Sequence, residues 1–326
     1  MAKKVVFLGM GGTIAGKAQN AGDNVGYTAG QVGVQQLLQS VPGLDKAVGD
    51  DLPVSEQVCQ IDSKDLEHCD WFTLTARVLH HLQMPDVRAV VITHGTDTLE
   101  ETAYWLSRAL PGKMLNQKPV VLTCAMRPAS SLAPDGPTNM ADAATVACFQ
   151  GARGLLVVCA GKIFEAAHVQ KVHPYRVDAF DAGEAGPLGV VEEGSVRLLF
   201  NWPNADALRP GLDCAQLQAR GLPRVEVLLN HAGASGAIVR SLLNPVEGDA
   251  PVRGIVVAGT GNGTIHKDLE AALQLAQRQG VRVVRVSRCA YGCVVGSAAA
   301  DGAFAHYGLS AVKARIALML DLVEAT

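Results

Sequence analysis

The stretch Val90-Val91-Ile92-Thr93-His94-Gly95-Thr96-Asp97-Thr98-Leu99-Glu100-Glu101-Thr102 constrains the fold more than any other in the chain. Its first part is apolar and β-branched and reads as a buried strand. It then breaks abruptly into small, hydroxylated and acidic residues. Thr98 followed three residues later by Glu101 is a capping-box pattern, which predicts a helix starting just after Asp97 and running through Ala103, Leu106 and Leu110. His94 to Asp97 is therefore a strand-to-helix turn. In an open α/β sheet such turns form the ligand crevice beyond the carboxyl ends of the strands, so Thr96 and Asp97 are placed to face a ligand. The competing use for the pair is plain helix capping.

The same rhythm recurs along the chain. Val5–Gly9, Pro53–Gln60, Lys118–Cys124 and Gly154–Cys159 read as further strands, and Val34–Val41, Trp71–Leu82 and Ala141–Gly151 as helices between them. Strands alternating with helices predict an α/β fold with a doubly wound, mostly parallel sheet. Asn201 to Pro223 turns irregular and rich in Pro, Asn and Asp, with one helical patch at Asp213–Arg220. The α/β rhythm then resumes through strands Val225–Leu229, Gly254–Ala258 and Val281–Ser287 and helices near Gly236–Leu243, Lys267–Gln279 and Ser310–Val323. The expected organisation is a larger amino-terminal domain over 1–200, a linker over 201–223 and a smaller α/β domain over 224–326.

With 326 residues, 48% of them hydrophobic, each domain has enough apolar material for a full core. A net charge of -3 and no lysine or arginine cluster argue against a nucleic-acid partner. No apolar run approaches the ~20 residues needed to cross a bilayer. The amino terminus enters a strand at once, without the apolar run and cleavage site of a secretory signal, which predicts a cytoplasmic protein. Eight cysteines lie scattered with no Cys-x-x-Cys spacing, so reduced and mostly buried thiols are expected, with no metal. The histidines, His94 included, read as satisfied polar residues.

The chemistry-bearing residues sit at strand ends. Gly9 to Gly16 holds four glycines in eight residues and presents Thr13 at the end of the first strand. A dinucleotide fingerprint would need glycine where Ile14 stands, and no clear helix follows at once. Lys17 to Gly30 has the composition of a mobile loop or lid. Its single aromatic, Tyr27, serves either as a hydrophobic latch or, brought over a hydroxyl, as a proton carrier. Thr13 and the Thr96-Asp97 pair follow strands of one sheet, so they can converge on one crevice. A threonine hydroxyl needs a base to become a nucleophile, and a lysine drawn in beside Thr96 and Asp97 could supply one. Lys171 is the candidate, though a lone lysine in alternating sequence is ordinarily a solvated surface residue. Glycine-turn amides could stabilise an oxyanion, and the set suits acyl transfer through a covalent hydroxyl.

Gly11-Gly12-Thr13-Ile14-Ala15-Gly16 and the Ile92–Ala103 stretch resemble the two signatures of the bacterial-type L-asparaginases. Further matches follow in family order through Tyr27-Thr28, Asp62-Ser63, Ala125-Met126-Arg127-Pro128, Asp135-Gly136-Pro137, Gly186-Pro187-Leu188-Gly189, Gly261-Asn262-Gly263 and Ser287-Arg288. The resemblance implies an amidohydrolase that releases ammonia from L-asparagine without a cofactor. It also implies a homotetramer of intimate dimers, each site lying between the amino-terminal domain of one subunit and the carboxyl-terminal domain of its neighbour. By the same resemblance, Thr13 is the nucleophile and Tyr27 the lid tyrosine beside it. Thr96, Lys171 and Asp97 form the set that activates nucleophile or water, Asp97 also holding the substrate's α-ammonium. Asp62 and Ser63 contact the substrate carboxylate, Ala125 offers a backbone contact to the scissile amide, and Asn262 is contributed by the partner subunit.

Two positions depart from the family pattern. Lys64 stands where well-known members carry an uncharged or acidic residue near the α-ammonium. The carboxylate that follows the Ser-Arg pair by roughly ten positions is missing before Asp301. Either Lys64 points to solvent while Asp301 or Tyr291 substitutes, or α-ammonium recognition is weakened in favour of glutamine or another amide. A non-hydrolytic amidotransferase-type subunit and a silent regulatory relative are the remaining alternatives.

Overall fold

The structure, a computed structural model, describes residues 2–206, 208–244, 247–296 and 304–324. It divides into two compact units, Met1–Gln218 and Ala219–Thr326.

The first unit is built on an eight-stranded sheet in the spatial order Ser195–Leu198, Gly189–Glu192, Lys162–Glu165, Leu155–Cys159, Val120–Thr123, Val87–Thr93, Lys4–Gly11 and Leu52–Ile61. The last five run parallel to one another. Lys162–Glu165, Gly189–Glu192 and Ser195–Leu198 extend the sheet antiparallel. That extension was not part of the sequence reading, because the strands are only four residues long and carry no run that separates them from loop.

The four inner parallel strands are apolar at nearly every position because both faces are covered, whereas the edge strand Leu52–Ile61 mixes in polar residues and has no buried position. Val5, Phe7, Ala89, Val91, Val121, Leu156 and Val158 join one core with Val34, Leu37, Met140, Ala143 and Ala147 of the helices Val34–Gln39 and Gly136–Cys148. Alternate residues point to the opposite face of a strand, and there Val6, Leu8, Val90 and Ile92 are equally buried. That second layer holds His68–Gln83 and Leu99–Ala109, whose Trp71 and Trp105 stack with centroids 5.3 Å apart and planes 11° apart.

The second unit has four parallel strands in the order Arg224–Leu229, Val252–Gly259, Arg282–Ser287 and Ala305–His306. Ile255, Val257 and Val283 pack with Val239, Leu269 and Leu273 of the helices Ala237–Leu243 and Lys267–Arg278. The helix Ala311–Glu324 lies against the strand Val252–Gly259, where Leu318 closes on Gly254.

Several local expectations need correction. The helix after Asp97 begins at Leu99 as the pattern implies, yet no side chain caps it at Thr98. The Thr98 hydroxyl donates instead to the Ser63 carbonyl, 2.8 Å away on the turn after another strand. A tertiary carbonyl acceptor has thus won over the local N–H donor that a cap would use. The helix expected from Ala141 starts at Gly136, since proline fits the first turn, where its missing N–H is no loss. The stretch Lys17–Gly30 is a short hairpin, Lys17–Ala18 against Tyr27–Thr28, with Asp23 accepting from the N–H groups of Val25 and Gly26 at its tip. All eight cysteines are free, but only Cys124 and Cys159 are buried, and Cys69, Cys289 and Cys293 are exposed. The apolar-run argument reaches only the thiols inside strands.

Candidate active site

Three adjacent parallel strands end at one place in the first unit. Lys4–Gly11 runs into the glycine turn and a single helical turn at Thr13–Ala15, flanked by Leu52–Ile61 with Ser63–Asp65 and by Val87–Thr93 with His94–Asp97. Backbone contact sets their separation. A Cβ on Gly12, whose φ is +79°, would lie 2.2 Å from the Gly95 Cα, and one on Gly95 would lie 2.4 Å from the Ser63 Oγ. Only glycine permits that approach, and it puts Thr13 and Thr96 next to one another's turns.

Thr13 and Thr96 are buried at 7% and 4% exposure, as is Ser63 at 4%. The Thr13 Oγ1 lies 2.7 Å from the Tyr27 hydroxyl. The Tyr27 ring packs over Gly16, so the residue is both latch and polar partner. Burial pushes its hydroxyl above the ordinary range; the Thr13 hydrogen bond works against this, while the charges of Asp62 and Asp97 add to it. Tyr27 is therefore a neutral phenol at physiological pH.

Lys171 lies on the two-residue strand Gln170–Lys171, paired with Phe180–Asp181, and its backbone N–H donates to the Glu100 carboxylate over 3.4 Å. Its Nζ donates to Thr96 Oγ1 at 2.9 Å and to Asp97 Oδ1 at 2.6 Å. The lysine side chain is 16% exposed and the carboxylate 52%. Ser63 Oγ accepts the Asp97 N–H at 3.3 Å, and the Asp62 carboxylate accepts from the Lys64 N–H. Ala125 is buried, following the strand Val120–Thr123. Asn262 belongs to the second unit, where its amide exchanges two hydrogen bonds with the Val295 backbone at 2.9 and 2.7 Å.

Of the departing positions, Lys64 is solvent-exposed, and its ammonium pairs with the neighbouring Asp65, which raises its pKa. Tyr291 is exposed in the second unit, and Asp301 lies outside the described residues.

Sequence reasoning gave two features no part in the site. The Asp135 carboxylate accepts from the N–H groups of Met126 and Arg127, both at 2.9 Å, and so shapes the turn after Ala125. Buried Asn139, four residues on, donates to the Cys124 carbonyl and accepts from the Ala160 N–H, tying two strand ends together. Their spacing on one helix face was the available signal. The second feature is a buried chain in which the Trp71 Nε1 donates to the Thr102 Oγ1 at 2.9 Å, with His94 Nε2 3.0 Å from that same oxygen and His94 Nδ1 2.8 Å from the Gly95 carbonyl.

Burial pushes His94 down to about 4 from 6.5. Above pH 6.5 both folded and unfolded chains hold a neutral imidazole. Below it the unfolded chain takes up a proton that the folded chain refuses until about pH 4, so this group lowers stability as pH falls across that window, by on the order of 3 kcal/mol. Urea titrations between pH 7.5 and 4.5 therefore lose more stability in the natural chain than in His94→Gln; parallel losses would contradict the shift.

Among the described residues, no group of three or more His, Cys, Asp or Glu could hold a metal ion, and no helix is long and apolar enough to cross a membrane.

Comparison with known proteins places both domains in one family. Residues 4–204 match the family model "Asparaginase, N-terminal", and 224–325 match "Glutaminase/Asparaginase C-terminal domain". The chain is 34% identical to L-asparaginase 2 of Escherichia coli over 98% of its own length and 89% of that protein. It is 35% identical to a glutaminase-asparaginase of Pseudomonas fluorescens, over 98% of itself and 86% of the relative. The crystal structure of a probable cytoplasmic L-asparaginase from Campylobacter jejuni superposes with a TM-score of 0.87 at 33% identity, covering 99% of this chain and 96% of that one. With both of its domains matched in order, the chain belongs to the asparaginase family.

Proposed function

We propose that the protein hydrolyses L-asparagine to L-aspartate and ammonia through a threonine acyl-enzyme. The observation that carries this reading is the Lys171 Nζ held between the Thr96 hydroxyl and the Asp97 carboxylate, beside a turn presenting Thr13 to Tyr27. In this reading the Thr13 Oγ attacks the side-chain amide, its proton passes to the departing ammonia as the C–N bond breaks, and a water activated at the Thr96–Lys171 pair hydrolyses the ester, returning a proton to the Thr13 oxygen. Asp97 holds Lys171 in place and offers its solvent-facing oxygen to the substrate's α-ammonium. Asp62 and Ser63 take the substrate carboxylate, Ala125 the scissile amide, and Asn262 acts from a neighbouring subunit. The reading includes a homotetramer with sites at subunit interfaces, a junction between domains at 201–223 and a cytoplasmic location, which the name of the Campylobacter jejuni neighbour favours.

In this reading Lys64, exposed and paired with Asp65, stays clear of the α-ammonium, and recognition of that group is retained. Steady-state ammonia release is expected to be fastest from L-asparagine, slower from L-glutamine and negligible from the analogue lacking the amino group. Equal turnover of that analogue would show that ammonium recognition has been lost, and no release from any of the three would reject the hydrolase reading.

A further inference from the structure

Hydrogen-bonding chemistry fixes every proton in the chain that runs from Trp71 to Gly95. An indole Nε1 only donates, so the Thr102 oxygen accepts from Trp71 over 2.9 Å. A carbonyl only accepts, so the His94 Nδ1 carries the hydrogen that reaches the Gly95 oxygen over 2.8 Å. The imidazole is buried and neutral, which leaves its Nε2 bare, and the Thr102 hydroxyl must donate to it over 3.0 Å. Trp71, Thr102 and His94 are 3%, 0% and 1% exposed, so no water competes for any of these positions. The His94 N–H also donates to the Thr123 carbonyl at 2.9 Å, fixing the ring's own backbone against the next strand.

The far end of this chain is the peptide joining Gly95 to Thr96. In a planar trans peptide the N–H points opposite to the C=O. With the Gly95 oxygen drawn toward the buried imidazole, the plane of that peptide is set, and with it the start of the Thr96 backbone and the direction of its side chain toward Lys171. The Gly95 Cα is the atom against which Gly12 packs, so tilting the plane would also disturb the turn that carries Thr13.

The geometry points to Trp71, Thr102 and His94 as a positioning relay that holds the Gly95–Thr96 peptide in the orientation the hydroxyl–lysine pair requires. The inference rests on the hydrolase reading and adds three residues that do not touch substrate.

A neighbouring hydrogen bond supplies a control. Trp105 donates its Nε1 to Thr75 Oγ1 at 3.0 Å, across the same pair of helices and against the same stacked indoles, while the Thr75 hydroxyl donates within its own helix to the Trp71 carbonyl at 2.7 Å rather than to the site turn. Thr102→Val and Thr75→Val each remove one buried indole partner and keep the side-chain shape.

Thr102→Val is expected to lower kcat for L-asparagine by about 100-fold with KM little changed, because a displacement of the reacting groups by roughly an ångström has that effect. Thr102→Ser, which keeps the hydroxyl, is expected to restore kcat. Thr75→Val is expected to lower the melting temperature by a similar amount and leave kcat in place. A second reading is independent of activity: in ¹⁵N spectra of the imidazole at neutral pH, His94 is expected as the pure Nδ1–H tautomer, with the bare Nε2 resonance shifting in Thr102→Val as its hydroxyl donor is lost. Equal kcat in the two valine variants, or failure of Thr102→Ser to restore it, would overturn the relay. A mixed tautomer in the natural chain would overturn it as well. If the natural protein releases no ammonia from any amide, the hydrolase reading fails, and the tautomer measurement still reports on whether the relay exists.

Discussion

Thr13→Ala is expected to release ammonia from L-asparagine at least 10⁴-fold more slowly than the natural protein, in line with the roughly 10⁶-fold losses seen when the nucleophile of a covalent hydrolase is removed. The substitution deletes the hydroxyl that meets the Tyr27 phenol at 2.7 Å and leaves the backbone of its single helical turn free to form. Its structural cost is small, because the side chain is short and the turn is held by backbone bonds from Gly12 to Ile61 and from Gly16 to Thr13. Folding and catalysis are therefore separable by comparing melting temperature with steady-state ammonia release. A residual rate within tenfold of the natural protein would show that another group forms the acyl-enzyme, or that none is formed. Thr13→Ser, which keeps a hydroxyl but lacks the methyl group that restricts its rotamers, should retain far more activity than the alanine variant.

Lys171→Met is the second large effect. Methionine matches the stem of lysine in length but cannot donate to Thr96 or neutralise Asp97. Loss of a positioned acid–base group lowers turnover by about 10² to 10⁴, and a value near the upper end is expected here because both partners of the lysine belong to the site. Stability should fall by less than about 1 kcal/mol, since the Asp97 carboxylate is half exposed and water takes over its solvation when the cation leaves. A large drop in kcat with an unchanged melting temperature is the expected result. Activity within tenfold of the natural chain would assign the lysine a purely structural role and leave the activation of Thr96 without a base.

The two variants test different halves of the site. Thr13 and Tyr27 come from the turn and hairpin that follow the first strand, whereas Thr96, Asp97 and Lys171 come together from a turn and from a two-residue strand far along the chain. Gly12 against Gly95 is where the halves meet, and neither position tolerates a side chain.

By itself the sequence determined the layering of the chain. Apolar runs at Val5–Gly9, Val90–Thr93 and Gly154–Cys159 can be buried only as strands covered on both faces, and the breaks that follow them place Thr13 and Thr96-Asp97 at strand ends. Motif order added the family, because short signatures keep their spacing when local backbone geometry requires it. What local pattern could not decide was which distant groups would satisfy one another. Thr98 and Glu101 promise a capping box, yet the Thr98 hydroxyl turns to Ser63. Local pattern alone makes Lys171 a surface cation; the family resemblance marks it for the site, and the antiparallel pair Gln170–Lys171 and Phe180–Asp181 delivers it to Thr96 and Asp97. His94 reads as one more satisfied histidine, and only packing of the helix His68–Gln83 against Leu99–Ala109 brings Trp71 and Thr102 to fix its tautomer. Periodicity records which side of an element is buried, a property each segment carries alone. Hydrogen-bond partners in a buried site are chosen only when several elements have packed, since an unpaired polar group becomes costly only after water has been excluded from around it.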